Sequence, residues 1–490
     1  MNRPEEPIEE GPGAGMNVHS RIRIAPLCRG LLWWGLCFLG GWSLVVAGAA
    51  ERVTLEDDPG AAQVFEVATA LKVEGKIYPQ PGAKSALPLK VDAGFRYRER
   101  RGEGAGRQAQ SLRSVRYYDQ AGASITAGNQ VSNVSLRDEA RLIVVEGTDS
   151  GVELSSPSIP LRVDELELLR AAGDSLVVAG LLPREAVEAG DTWKPASWVL
   201  PTWAGIEAVE KSQLSCTLER IDSQQAVIRF QGEVIGAVWG AAARVTVEGA
   251  LELDLAKKHW KKLTLNQTEK RAVGAVSPGL DVTAKVETTR RPARTEGRLS
   301  EMDLKGVPLA ANEATRLVVF EAPLWNLRFY HDRNWHLLNQ NSDTSTLRYV
   351  EQGDLLAQCT IKKLPEAQPG KHVSEELFRA DIEKALGKNF EKFVQAERLK
   401  LGTETFVYRV VVQGTVKTQN DKDEEILQPM QWHYYLVADA QGRQLALVFT
   451  FTPEHAKRFA DRDLAIVGGL EFFQPNAPTE ARGGNSGGRK

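Results

Sequence analysis

The sequence predicts an α+β protein: an antiparallel, β-rich N-terminal domain, built as a curved sheet, half-barrel or sandwich, followed by a smaller α/β domain. Three observations carry this. Strict apolar–polar alternation recurs in long stretches between residues 51 and 295. Beyond residue 315, strand patterns are interleaved with stretches of helical spacing. Between them, residues 296–314 form a polar connector.

The chain begins with a different kind of segment. Arg21, Arg23 and Arg29 precede an apolar run from Leu31 to Ala50, and Ala47-Gly48-Ala49 matches the small-x-small pattern cut by signal peptidase. Residues 1–50 therefore read as an export signal, with Met16 as the expected true start because acidic Glu5, Glu6, Glu9 and Glu10 precede it. The expected location is extracytoplasmic, periplasmic or secreted. The alternative is a membrane anchor at residues 31–50, since that run approaches the ~20 residues that span a bilayer.

In the β-rich domain, Phe65, Val67, Thr69, Leu71 and Val73 share one strand face, opposed by Glu66, Lys72 and Glu74. Leu89, Val91, Ala93, Phe95 and Tyr97 repeat the pattern, as do Val245, Val247, Leu251, Leu253 and Leu255, and then Leu280, Val282, Ala284 and Val286. One apolar and one polar face is the mark of antiparallel sheet with one side in water. A single helix is expected from Val163 to Ala172, stopped by Gly173. The turn-rich stretch Leu181-Leu182-Pro183, Val187, Gly190-Asp191 and Trp193 divides the domain.

In the second domain, residues 315–473, the expected strands centre on Ala357, Tyr408, Trp432 and Leu447. A helix capped by Ser374 carries Phe378, Ile382, Ala385 and Leu386 on one side. A second helix begins at Thr452-Pro453-Glu454 and puts Ala456, Phe459, Ala460, Leu464 and Val467 on its buried side, with Arg462 on the wet side. Residues 474–490 are polar and Gly-rich, the composition of a disordered tail.

Two resemblances follow from these residues. The aromatic opening Phe329-Tyr330-His331-Asp332-Arg333-Asn334-Trp335, the central helix and the final strand-helix-strand ending Leu470-Glu471-Phe472 resemble the PsbP-like α/β/α sandwich family. That resemblance implies an accessory or binding module without catalytic residues. The Leu-Leu-Pro to Gly-Asp-x-Trp stretch resembles one in uncharacterised exported β-domain proteins of bacteria. The long half-polar strands are similar in architecture to the half-barrel of lipoprotein and lipid carriers.

Composition excludes more than it assigns. A net charge of -3 gives no field for nucleic acid. The sequence has no G-x-S-x-G nucleophile elbow between a strand and a helix (Gly484-Asn485-Ser486-Gly487-Gly488 matches the letters only within the polar tail) and no H-E-x-x-H, C-x-x-C or P-loop pattern, so no catalytic residue, metal site or cofactor is assigned. His331 and His336 flank a turn and read as surface or interface residues. Of four cysteines, only Cys216 and Cys359 lie outside the signal, and both are expected reduced and buried. The candidate functional feature is a basic hairpin, Arg96, Arg98, Arg100, Arg101, Arg107, Arg113 and Arg116, which would contact an anionic partner or form a solvated face. The expectation is a non-catalytic extracytoplasmic binding or scaffold protein whose partner is a protein, lipid or envelope component. A carrier of an acyl chain in the curved sheet, and a hydrolase with dispersed site residues, are the alternatives.

Overall fold

A computed structural model describes residues 52–473, apart from 59, 61–62, 80–84, 103–107, 402–404 and 420–423. The export segment, the C-terminal tail and Arg107 lie outside the described residues.

The first region is built from β1 (Val64–Tyr78), β2 (Leu87–Arg101), β3 (Arg113–Ala127), β4 (Gln130–Ser135), β5 (Leu142–Thr148), β6 (Gly151–Ser155) and β7 (Leu161–Arg162), then helix α1 (Val163–Leu169). After it come β8 (Thr192–Trp193), helix α2 (Val199–Ala204), β9 (Ala208–Ser212), β10 (Ser215–Ile221), β11 (Gln225–Val238), β12 (Ala241–Asp254), β13 (His259–Arg271) and β14 (Gly279–Pro292). All of these strands except β7 form one antiparallel sheet of thirteen strands, in the order β6-β5-β3-β2-β1-β14-β13-β12-β11-β10-β8, with β4 added to β3 and β9 to β11. The hairpins follow from alternation, which fixes register wherever one face is buried.

Laid flat, ten strand spacings of ~4.8 Å would make this sheet about 48 Å wide. Yet one hydrophobic core joins Ile143 and Val145 of β5 to Cys216 and Leu218 of β10. The sheet must therefore curl. Its inner face closes on a plug made of α1, the 3-10 turn Val177–Leu181 and α2, which contributes Leu166, Leu169, Leu176, Val177, Val178, Leu181, Val199 and Trp203.

The second region begins with two short helices, α3 (Glu301–Leu304) and α4 (Glu313–Arg316). The connector that holds them is pinned rather than free, because Leu299 is fully buried beside Val64 and Val115. Then follow β15 (Val318–Ala322), β16 (Leu327–His331), β17 (Trp335–Gln340), β18 (Thr344–Glu351), β19 (Asp354–Lys363), α5 (Glu375–Leu386), β20 (Phe390–Leu399), β21 (Phe406–Gln419), β22 (Glu425–Ala438), β23 (Gln444–Phe451), α6 (Ala456–Phe459), α7 (Arg462–Gly468) and β24 (Glu471–Phe472). Seven of these strands form a sheet in the order β17-β18-β19-β23-β22-β21-β20. Phe378 and Ile382 of α5 pack on one face against Tyr408, Val410, Val412, Trp432 and Leu436. The other face buries Leu447, Phe449 and Phe451 against Phe459, Ile466 and Val467.

This architecture corrects the expected fold class. The described residues are mostly strand, in three sheets, and no separate PsbP-like α/β sandwich domain stands beside a β domain. The layer opposite α5 is completed by a four-stranded sheet, β24-β16-β15-β7, whose β7 comes from the first region and pairs in parallel with β15. Of the two helices that the sandwich required, α5 is of ordinary length but the C-terminal one is not continuous. The expected helix from Thr452 breaks at Ala460, where φ is 48°, into α6 and α7. Arg462 consequently leaves the wet side: it donates to the Arg458 and Phe459 carbonyls that end α6, and pairs with Glu351 at 3.1 Å. Phe459 and Val467 are buried as expected, but the break turns Ala460 out to solvent and brings Asp463 and Ile466 inside, which helical spacing alone does not register.

The two regions touch at their hairpin tips. Trp239 packs at a tilt against His336 with ring centroids 4.5 Å apart. Beside it Gly240 meets Gly353 so closely that a Cβ on Gly240 would lie 2.2 Å from the Gly353 carbonyl oxygen. Only glycine fits there.

Candidate functional site: the inner face of the large sheet

The arginines singled out in the sequence do not gather on one exposed face. Arg96 is exposed, Arg113 reaches Glu146 at 3.3 Å, and Arg98 and Arg100 are half-buried beside Asp119 and Glu301. Arg101 and Arg116 point inward. Arg116 stands directly opposite Glu99 in the β2–β3 register and contacts it at 2.9 Å, while its two Nη atoms grip Asp174 at 2.7 and 2.8 Å. Ser175 accepts from Tyr97 and from Arg116, and donates to Glu99 at 2.7 Å. Deeper in, Asp57 bridges Arg101 and Arg290, each at 2.7 Å, and the Arg290 guanidinium lies 3.8 Å over the Phe65 ring.

This network explains its own burial. Three carboxylates, Asp57, Glu99 and Asp174, face three guanidiniums, and every member is 9% exposed or less. Burial pushes the Glu99 carboxyl up, but Arg116, Arg101 and Arg290 outweigh it and hold it at about 2. Three carboxylates matched by three guanidiniums leave no net charge here, and the network ties residues 174 and 175 beside the plug to the sheet. Sequence reading missed Glu99, Asp57, Asp174 and Arg290. Glu99 and Arg101 gave a signal: both continue the inward parity of Phe95 and Tyr97, where an apolar residue was due.

The Leu-Leu-Pro to Gly-Asp-x-Trp stretch proves to be a strapped loop around a hollow of about 600 Å³. Trp193 Nε1 donates to the Leu181 carbonyl at 2.8 Å. Gly190 takes φ 95°, and Asp191 accepts from the Glu188 backbone N–H and from Arg52, each at 3.1 Å. These contacts account for the motif as loop structure.

The inner face beyond the plug is different. Three rows of paired residues cross β13, β14, β1 and β2 there: Gln267–Ala284–Val73–Val91, Glu269–Val282–Gly75–Leu89 and Arg271–Leu280–Ile77–Leu87. On β3 the first two continue to Ile125 and Ala127. Paired residues project to the same side, so this is one continuous surface. Val73, Ile77, Leu89, Val91, Ile125 and Leu280 are only half-buried, and none of them joins a hydrophobic core. The plug meets this margin at Gln267, whose side chain donates to the Trp203 carbonyl.

Along β13 this apolar surface is bordered by Gln267, Glu269 and Arg271. Over that border opens a cleft of about 470 Å³, walled by Thr202, Ile206, Trp239, Arg333 and Asn334. Arg271 Nε lies 2.9 Å from Glu269. Burial raises the Glu269 carboxyl above its ordinary range, against the pull of Arg271. Burial also lowers Arg333 to about 10 and His336 to about 4, so His336 is neutral near pH 7. His331 is likewise held at about 4, and its Nδ1 lies 2.7 Å from the Asp332 carbonyl. Among the described residues, no three His, Cys, Asp or Glu side chains stand close enough to hold a metal ion. Cys216 and Cys359 are buried and unpaired. No helix of the described residues is long and apolar enough to cross a membrane.

No protein-family model matches the chain, and no curated protein matches it. Among solved structures it is similar to lipovitellin, from a study of lipid–protein interactions, at 7% identity with a TM-score of 0.27, over 52% of this chain and 27% of that one. The chain thus spans about a quarter of lipovitellin. It also aligns with the translocator domain of the autotransporter NalP from Neisseria meningitidis at 8% identity and a TM-score of 0.12, over 81% of this chain and 90% of that one. The outer membrane protein OprD from Pseudomonas aeruginosa aligns at 8% identity and 0.11, over 81% and 96%. Scores this low carry no argument about fold or function.

Proposed function

We propose that the chain is an exported, non-catalytic binding protein that holds an amphipathic ligand on the uncovered half of its large sheet. The observation that carries this is the surface of Val73, Ile77, Leu89, Val91, Ile125 and Leu280, apolar, half-buried and outside every core, beside a polar border. A contiguous apolar patch rimmed by polar groups marks a binding surface. Export rests on the Leu31–Ala50 run and its Ala47-Gly48-Ala49 site. The reading joins the expected binding role to the carrier alternative, with the ligand beyond the plug rather than in the middle of the sheet, where core side chains fill the space.

A fluorescent long-chain alcohol, titrated into the exported protein, tests it. Saturable binding is expected, weakened at least tenfold by Val91→Asp, because a carboxylate there would be desolvated by the chain. Saturable binding that Val91→Asp and Leu89→Asp leave untouched would place the ligand elsewhere.

A further inference from the structure

Three arginines line the cleft, and Arg271 is the one with neither Nη group hydrogen-bonded among the described residues. At the cleft, Arg170 is paired with Glu167 at 3.0 Å. Arg333 donates to the Arg316 carbonyl at 2.8 Å and to the Leu154 carbonyl at 2.7 Å. Of the carboxylates, Asp174 is taken by Arg116, and Glu207 accepts from the Trp239 backbone N–H at 3.1 Å. Arg271 is different. Its Nε lies 2.9 Å from Glu269 as an ion pair without a hydrogen bond, and its Nη1 and Nη2 likewise make no hydrogen bond among the described residues. The side chain is 15% exposed, so the free end of the fork is largely withdrawn from water yet opens on the cleft.

Arg271 also stands at the end of an apolar row. Leu280, Ile77 and Leu87 follow it strand by strand, with Leu89 and Ile125 alongside. From β13 to β3 is four strand spacings, about 19 Å. A molecule with one anionic group at Arg271 would lay a single apolar chain across β14, β1, β2 and β3.

Resting on the function proposed above, we infer that the ligand is a single-chain anionic amphiphile, and that Arg271 receives its acidic head group through its free Nη1 and Nη2. A planar fork pairs with the two oxygens of a carboxylate, or with those of a phosphate. Glu269 sets the strength of the grip, because it shares the same guanidinium.

The test titrates the exported protein with a long-chain fatty acid, an alkyl phosphate and an alcohol of equal chain length, and with acetate. Both long-chain acids are expected to bind at least about tenfold tighter than the alcohol, the effect of one charge-assisted contact. A larger gain for the fatty acid or for the alkyl phosphate identifies the head group. Acetate should not compete. Arg271→Gln should bring the acids down to the level of the alcohol, Arg271→Lys should keep part of the preference, and Glu269→Gln should increase it. Equal binding of acid and alcohol, or a preference that survives Arg271→Gln, would overturn the inference while the apolar site stood. If neither acid nor alcohol binds, the proposed function falls and takes the inference with it.

Discussion

The two halves of the inner face are made by the same strands and look alike in sequence, yet they do different things. Near the start of β1 the inward residues are Phe65 and Val67, both fully buried under the plug and the charge network. Toward its end they are Val73 and Ile77, equally apolar but half-covered. Alternation states which side of a strand is apolar. It does not state whether anything lies on that side, because covering depends on where a distant segment, residues 163–206, comes to rest.

The comparison breaks most visibly with a charge. Val67→Asp should cost more than about 4 kcal/mol, since the carboxylate would be buried with no partner. Val73→Asp, six residues along the same face, should cost about 1 kcal/mol or less, because water reaches it. Denaturant midpoints of the two variants decide the matter. Equal and large losses would mean that the far half is covered too.

The arginines sharpen it at smaller amplitude. Arg116→Ala removes the hub of a closed network and leaves Glu99 and Asp174 unpaired, for an expected loss of about 3–5 kcal/mol. Arg271→Ala removes a guanidinium with one partner and two free ends, and should cost about 1 kcal/mol or less. Urea unfolding of both variants measures the gap. A loss at Arg271 as large as that at Arg116 would make it a structural residue rather than a ligand's partner.

Much of the large sheet was legible in the sequence, and its site much less so. The strands around Phe65, Leu89, Val245 and Leu280 were each visible as alternation, because their polar faces meet water along their whole length. The helix at Val163 was visible as well. The α/β reading of the second region failed because the strand and helix patterns there do not say what supplies the facing layer, which is partly β7, some 150 residues upstream of its partner β15. The arginine cluster misled because a list of charges does not record parity: Arg96 and Arg98 point out, while Arg101 and Arg116 point in. Glu269 and Arg271 were readable in principle, since they hold the inward parity of Leu263 and Leu265 on β13. A polar residue at an inward position is either paired in the core or placed at the margin of a site, and only the structure separates these cases.

The smallest effect contrasts the two inward glutamates by pH. Glu99, in the covered half, is held at about 2 in the folded protein against an ordinary value of 4.5. A depressed folded value contributes stability that is present above the unfolded value and is lost as pH falls from about 4.5 toward 2. Glu269, at the margin, is shifted the other way by burial. A raised folded value contributes stability that is present below the unfolded value and is lost as pH rises through the folded one. Glu99→Gln should therefore flatten the loss of stability in acid, at the cost of a lower midpoint at pH 7, where the carboxylate's ion pair with Arg116 is gone. Glu269→Gln should raise the midpoint slightly at pH 7, because a neutral amide is cheaper to desolvate than a carboxylate, and should change little at pH 4. Denaturant midpoints across pH 3 to 8 give both slopes. The same sign of change for both variants at pH 7 would mean that Glu269 is as firmly paired as Glu99, which would leave Arg271 no free grip for a ligand.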